Sequence, residues 1–231
     1  MAGVSRLQYA TEARLVRVMC TGRVDPSHIV RAFSKGVDGV FLGGCKLNEC
    51  NYVTGGNFHA LNMVLLFRKI LGQLGLSEDR LKLEFMSGSE ANVYVDVVNR
   101  FVQKIKDLGP LGEGEGMDKS VLELKLKALS KIVPYIRLVE SERLRVKLPK
   151  AEDYEAFYAS SELDDLFREL VADKLALSEI MLLLREKSLT AGEISKTLGL
   201  TPSDTSKYLH TSARHGLVRY DNSKWSFVLA K

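Results

Sequence analysis

The chain has 231 residues, 45% hydrophobic and 27% charged, a balance that suits a folded protein of two small domains and excludes a disordered or fibrous one. A formal charge of +4 with a pI near 8.9 is too mild to imply nucleic acid or a membrane surface by itself. No apolar run approaches the roughly 18 residues of a membrane-spanning helix, and the opening Met1-Ala-Gly-Val-Ser-Arg-Leu has no apolar signal core, so a cytoplasmic location is expected.

Residues 15–20 (Leu-Val-Arg-Val-Met-Cys) form a short β-branched run that stops at Thr21-Gly22 and reads as a strand. Asp25-Pro26 supply an N-cap and a first helical residue for a helix over 28–35, which Gly36 closes. Residues 39–44 are apolar throughout, as buried parallel strands are, and lead straight into Cys45. A helix over 58–74 follows Gly55-Gly56 and ends at Gly75. Residues 81–86 alternate as a third strand, and a helix over 90–108 ends at Gly109-Pro110. This β-α-β-α-β-α order predicts an α/β domain over residues 1–110, a small three-layer unit with a parallel sheet of three or four strands.

Residues 111–173 read as a connector. Leu111-Gly-Glu-Gly-Glu-Gly116 has the composition of a flexible linker, and charged helices are predicted over 119–137 and 164–177, with a less regular stretch near Pro149. Residues 174–231 differ. A helix over 176–187, a short helix ending at Gly199, a third from Thr201-Pro202 to Arg214, and strands 217–220 and 225–229 around Asp221-Asn-Ser-Lys predict a winged helix-turn-helix. Trp225, the only tryptophan, lies in the wing, where core packing is the default.

The candidate chemistry lies in three cysteines, Cys20, Cys45 and Cys50, all within the first 50 residues. An odd, clustered set does not suit a secreted disulfide scaffold; it suits metal ligands or reactive thiols, with buried free cysteine as the alternative. Cys20 and Cys45 end predicted strands, where α/β sheets build their sites, and this favours a metal. Gly43-Gly44 permit backbone approach to a bulky ligand. Thiolates on such loops hold iron–sulfur clusters, whereas structural zinc sites usually show two close pairs or added histidines. Of the four histidines, His28, His59, His210 and His215, only His59 lies near the cysteines in sequence, and it reads as decorating its helix. Arg23 is a candidate donor to the site, and Tyr52 and Asn57 candidate shields; Asp25 reads as a helix cap.

Cys20-Thr-Gly-Arg-Val-Asp-Pro26, Gly39-Val-Phe-Leu-Gly-Gly-Cys45, Cys50-Asn-Tyr52 with Gly56-Asn57, and the Ser87-Gly-Ser-Glu90 turn together resemble the delta subunit of the methyl-viologen-reducing (F420-non-reducing) hydrogenase over residues 1–110. The resemblance implies an α/β domain carrying a [2Fe-2S] cluster on Cys20, Cys45 and Cys50. It implies electron transfer between a hydrogenase or other dehydrogenase and the flavin subunit of a heterodisulfide reductase-type complex in an anaerobic cytoplasm. Members of that family begin with a strand and a further Cys-x-x-Cys element just upstream of a segment like Ala2–Tyr9. The cluster takes four protein ligands and this chain supplies three. The expectation is a start truncated at the gene-model level, because some relatives carry a UGA-encoded selenocysteine in the upstream motif. Otherwise a partner supplies the ligand, or the domain docks without a cluster.

In the winged helix, Ser203, Asp204, Thr205, Ser206, Lys207 and His210 would face a major groove or a protein partner. Eight Lys/Arg against five Asp/Glu over 176–231 is thin for phosphate binding, so DNA is possible but not favoured. A redox-responsive winged-helix DNA-binding regulator and a cluster-less docking subunit remain the alternatives. No GxxxxGK, GxGxxG, HExxH or nucleophile elbow is present, and nothing supports independent catalysis.

Overall fold

The computed structural model describes residues 6–52, 55–146 and 150–230. The start of the Ala2–Tyr9 segment and the irregular stretch expected near Pro149 therefore fall outside the described residues. Helix α1 (Pro26–Ser34) begins as the sequence dictates: the Asp25 carboxylate accepts from the Ser27 N–H at 2.8 Å, and Pro26 fills the first turn. Strand β1 (Val40–Gly44), helix α2 (Asn57–Leu74) and strand β2 (Leu81–Phe85) form a parallel crossover unit, with Val40 paired to Leu81 and Gly44 to Phe85. Successive strand residues point to opposite faces. Val40, Leu42 and Leu83 accordingly pack into the main core, while Phe41 meets Phe101 of helix α3 (Ala91–Leu108), ring centroids 5.6 Å apart.

The small sheet is two-stranded. Residues 15–20, expected as a further strand, form no ladder with it, and Leu15, Val16 and Met19 are 72%, 81% and 98% exposed. Their β-branched pattern states a preference for extended backbone; a strand exists only where a neighbour accepts its hydrogen bonds.

The glycine-rich stretch over 111–116 is ordered, which corrects its reading as a flexible linker. Arg80, fully buried just before β2, organises it. The Arg80 guanidinium donates two hydrogen bonds to the Glu115 carboxylate (2.6 and 2.9 Å) and one each to the carbonyls of Asp38 (2.9 Å), Gly109 (3.0 Å) and Pro110 (3.2 Å). Glu115 also accepts from the Ser77 and Gly112 N–H groups, and Leu111 N–H donates to Asp38 at 2.7 Å. The glycines permit the tight path: Gly112 and Gly116 have φ of 83° and 68°.

Helix α4 (Lys119–Glu142) packs on α1 and continues the core to α5 (Ala151–Tyr158) and α6 (Ser161–Phe167). A π-helical segment, Arg168–Ala172, then joins α6 to α7 (Asp173–Glu186), so the expected boundary at 173/174 lies at the start of a helix already under way. Helix α7 serves two cores. Leu175 and Leu182 join the N-terminal one, whereas Ala176, Ile180, Leu183 and Leu184 join that of the winged helix.

Helix α8 (Ala191–Leu198) starts in a capping box between Thr190 and Glu193 and stops at Gly199 (φ 70°). Helix α9 (Pro202–Arg214) is capped by Thr201, which accepts from Asp204 N–H. Strands β3 (Val218–Asp221) and β4 (Ser226–Leu229) close the wing, and β4 also bonds to Leu189 through Phe227. Trp225 does not pack in the core: it is 76% exposed at the wing's turn, with φ 50°.

Candidate functional site

Strand β1 places Cys45 one residue past its carboxyl end. The chain then reverses: Glu49 N–H donates to the Lys46 carbonyl at 3.1 Å, and Asn48 takes the left-handed conformation (φ 70°) that asparagine tolerates, which returns Cys50 towards Cys45. Buried Asn57, in the first turn of α2, fastens the loop, its amide donating to the carbonyls of Cys45 (3.1 Å) and Lys46 (2.7 Å). Cys20 arrives from the other side, ahead of a single 3₁₀ turn over Thr21–Arg23, and the Thr21 hydroxyl ties that turn to the Gly43 carbonyl at 3.0 Å.

Glycines set the spacing, though chiefly not the pair the sequence singles out. A Cβ on Gly56 would stand 2.3 Å from the Cys50 sulfur, and one on Gly22 would stand 2.3 and 2.4 Å from the carbonyl oxygens of Gly55 and Gly56. Both positions exclude any side chain. Gly44 is tight against Thr21 and Phe85, so that glycine serves packing of the site's floor.

The three thiols sense one another. At Cys50, burial opposes ionisation, but N–H groups of Tyr52 and Asn57 and the thiols of Cys45 and Cys20 donate to its sulfur and hold the thiol below its ordinary range. The Asn57 donor is the first residue of α2, where helix N–H groups lack intrahelical partners. Burial pushes Cys45 up, and the charge on Cys50 adds to it, with Cys20 contributing further. The set therefore concentrates negative charge on Cys50 first. All three cysteines are free, Cys45 exposed and the other two half-buried. The thiolate chemistry matches iron–sulfur ligation, yet among the described residues no group of three or more His, Cys, Asp or Glu is arranged to hold a metal ion. What the chain presents is a coupled thiol face, not a closed ligand cage.

Around this face, Tyr52 is exposed and lends its N–H, not its ring, to Cys50; Arg23 is exposed to solvent; Asn57 acts through the backbone of the loop. His59 does more than decorate its helix, lying 3.5 Å from the Glu140 carboxylate, which also accepts from Asn62. Sequence reasoning missed the Lys46–Glu90 pair, 2.5 Å apart, in which Glu90 also accepts from the Ser87 N–H at 2.7 Å. The hydrogen bond from Lys46 holds Glu90 below the carboxylate range. The readable signal was the Ser87-Gly-Ser-Glu90 turn itself.

The family model of the methyl-viologen-reducing hydrogenase delta subunit matches residues 1–109. The iron–sulfur subunit of an F420-non-reducing hydrogenase from Methanococcus maripaludis is 44% identical over 110 residues, which cover 48% of this chain and 81% of that protein. The chain belongs to this delta-subunit family. The equivalent protein of Archaeoglobus profundus is also 44% identical over 110 residues, 48% of this chain and 80% of its own. One component of the ferredoxin/F420H2-dependent CoB-CoM heterodisulfide reductase from Methanosarcina acetivorans is 34% identical over 112 residues, again 48% of this chain but 14% of its own length. The delta-subunit region thus ends just before the turn organised by Arg80, and the thiol face lies wholly inside it.

Beyond it, residues 178–222 match the model of the IclR helix-turn-helix domain. On α9, Ser203, Ser206, Lys207 and His210 are exposed. Lys207 is held by Asp173 at 3.3 Å. Thr205 is corrected as a contact residue: it is fully buried and donates to the Thr201 carbonyl at 2.9 Å, because it shares the inner face with Tyr208, Leu209 and Ser212. Among the described residues no helix is long and apolar enough to cross a membrane.

Proposed function

We propose that the delta-subunit region is an electron-transfer module in which Cys20, Cys45 and Cys50 ligate an iron–sulfur cluster, of the [2Fe-2S] type, with the fourth ligand coming from a partner or from sequence preceding this chain. The observation that carries the reading is the shared hydrogen bonding and charge of the three thiols at the first turn of α2. The names of the relatives support it, each hydrogenase relative being an iron–sulfur subunit. The heterodisulfide reductase component that contains a like region supports a flavoprotein of that type as the partner, with a hydrogenase or other dehydrogenase on the other side. A cluster supplies one-electron carriage. This chain's residues would fix the sulfurs through Asn57 and Gly56, and stabilise negative charge with the N–H groups of Tyr52 and Asn57. The module would operate in the anaerobic cytoplasm.

Anaerobic reconstitution with iron and sulfide, read by iron and sulfide analysis and by EPR after reduction, tests this. With a small-molecule thiol in the buffer to fill the fourth position, the full chain is expected to bind iron and give a reduced-cluster signal, lost in Cys20→Ser, Cys45→Ser and Cys50→Ser. In Gly56→Ala the displaced Cys50 sulfur should lower iron content severalfold. Wild-type protein that takes up no iron, or a Cys20→Ser variant that keeps the full signal, overturns the ligand assignment.

The second reading, a DNA-binding regulator, rests on the IclR helix-turn-helix match and on the outward Ser203, Ser206 and His210. Salt-dependent binding of the full chain to duplex DNA distinguishes it: a steep salt slope with sequence preference supports it, and binding no tighter than to random duplex removes it.

A further inference from the structure

Helices α4 and α7 leave an open groove of about 300 Å³ between them, lined by Ile132 and Tyr135 on one side and by Leu177, Ser178, Met181 and the stem of Lys174 on the other. The groove follows the seam of the molecule: Ile132 and Tyr135 rest on the N-terminal core, Leu177 and Met181 on that of the winged helix. Its apolar side chains are half-buried, with no further element covering them. Leu138, one turn beyond Tyr135, is 60% exposed and extends the apolar strip along α4.

Cations flank it. Lys127 and Lys131 lie one turn apart on α4, and Lys174 and Arg185 stand at either end of the lining stripe of α7. All four are exposed, and among the described residues none has a carboxylate ion pair. They crowd rather than neutralise one another, since Arg185 and Lys127 add to desolvation in lowering the Lys131 ammonium from its ordinary range. Other cations on these helices and their neighbours do find carboxylates, as Lys69 does with Asp164 at 2.6 Å and Arg137 with Asp25 at 3.1 Å. An apolar trough with unneutralised positive rims has a defined complement.

We propose that the α4–α7 groove docks an acidic amphipathic helix of a partner protein, its apolar residues one turn apart entering beside Ile132, Tyr135, Leu177 and Met181 and its carboxylates meeting Lys127, Lys131, Lys174 and Arg185. A second copy of this chain is a poor occupant, because a two-fold contact would set these same four cations against themselves. Nucleic acid is a poor one too, since the lining carries almost no polar group to meet phosphate or base edges. None of the lining residues belongs to the delta-subunit region or to the cysteine loops, so the contact stands independently of the cluster.

The probe is a fluorescein-labelled designed peptide of about four helical turns, leucines at i, i+3, i+4 and i+7 and glutamates on the flanks. Anisotropy against the full chain would compare it with a scrambled peptide and with a version bearing lysine for glutamate. The acidic helix is expected to bind at least tenfold tighter than either, and more weakly as salt rises. Met181→Asp and the double variant Lys127→Glu/Lys131→Glu should each lose about tenfold, near 1.4 kcal/mol. The charge variant changes only exposed residues and keeps its circular dichroism. Equal binding of the scrambled peptide, indifference to both variants, competition at this groove by duplex DNA or phosphatidylserine vesicles, or a concentration-dependent dimer that Met181→Asp dissolves would each overturn the proposal.

Discussion

Glu179 illustrates how a single buried carboxyl sets a pH dependence. It lies inside α7 facing the main helical interface, and burial pushes it up to about 7, with Lys125 only partly opposing. A folded-state value above the unfolded one means the native protein binds the extra proton between roughly pH 4.5 and 7. The stability that this protonated carboxyl brings is present in full below pH 4.5 and is lost as pH rises through 7. Glu179→Gln removes the titration. At pH 8 it should stabilise the chain by about 2–3 kcal/mol and at pH 4 by little; urea midpoints at the two pH values check both halves of that statement. At the thiol face the residue scale explains what the sequence showed and what it hid. The cysteines were legible as chemistry because they are rare and clustered. The demand for glycine at 22 and 56 was not, since it arises from contacts between the Thr21–Arg23 turn, the 55–56 loop and Cys50, which are distant in sequence.

Among elements, those with local caps were legible to within a residue or two, whereas the helix expected over 119–137 runs on to Glu142 and that expected over 164–177 is divided among α6, the π-helical segment and α7. The Asp25-Pro26 start and the glycine stops at 75 and 199 are satisfied by neighbours in the chain, so their chemistry can be read without the fold. Two elements depend on distant partners, and there the sequence misleads. Residues 15–20 have strand composition but no strand to bond. Residues 111–116 have linker composition but are drawn in by Arg80, whose role nothing in its own neighbourhood announces. Arg80→Ala leaves Glu115 without its cationic partner and three carbonyls, those of Asp38, Gly109 and Pro110, without this donor. The loss should be about 3 kcal/mol in urea denaturation, typical of a buried pair broken on one side. Limited proteolysis should then cut within 111–116, where the wild-type chain resists.

For the whole molecule, α7 is the member both cores share. Its residues alternate between them at helical spacing, Leu175 and Leu182 one way and Ile180 and Leu184 the other. The class of fold was legible from the order of elements, whereas this sharing was not, since hydrophobic periodicity shows that a helix is apolar on two sides without saying what lies against each. Because one helix closes both interiors, the two halves are expected to unfold together. Calorimetry should give one transition, and cutting the chain before α7 should expose Leu175 and Leu182 and cause aggregation.

The wing offers an optical consequence. Its single indole already stands in water while the protein is folded, so its emission should lie far to the red and hardly move when urea unfolds both interiors, even as far-ultraviolet dichroism collapses. A blue shift in the native protein, by contrast, would signal that something has come to rest on the hairpin tip. The chain thus carries a built-in fluorophore that is silent about folding and responsive to visitors.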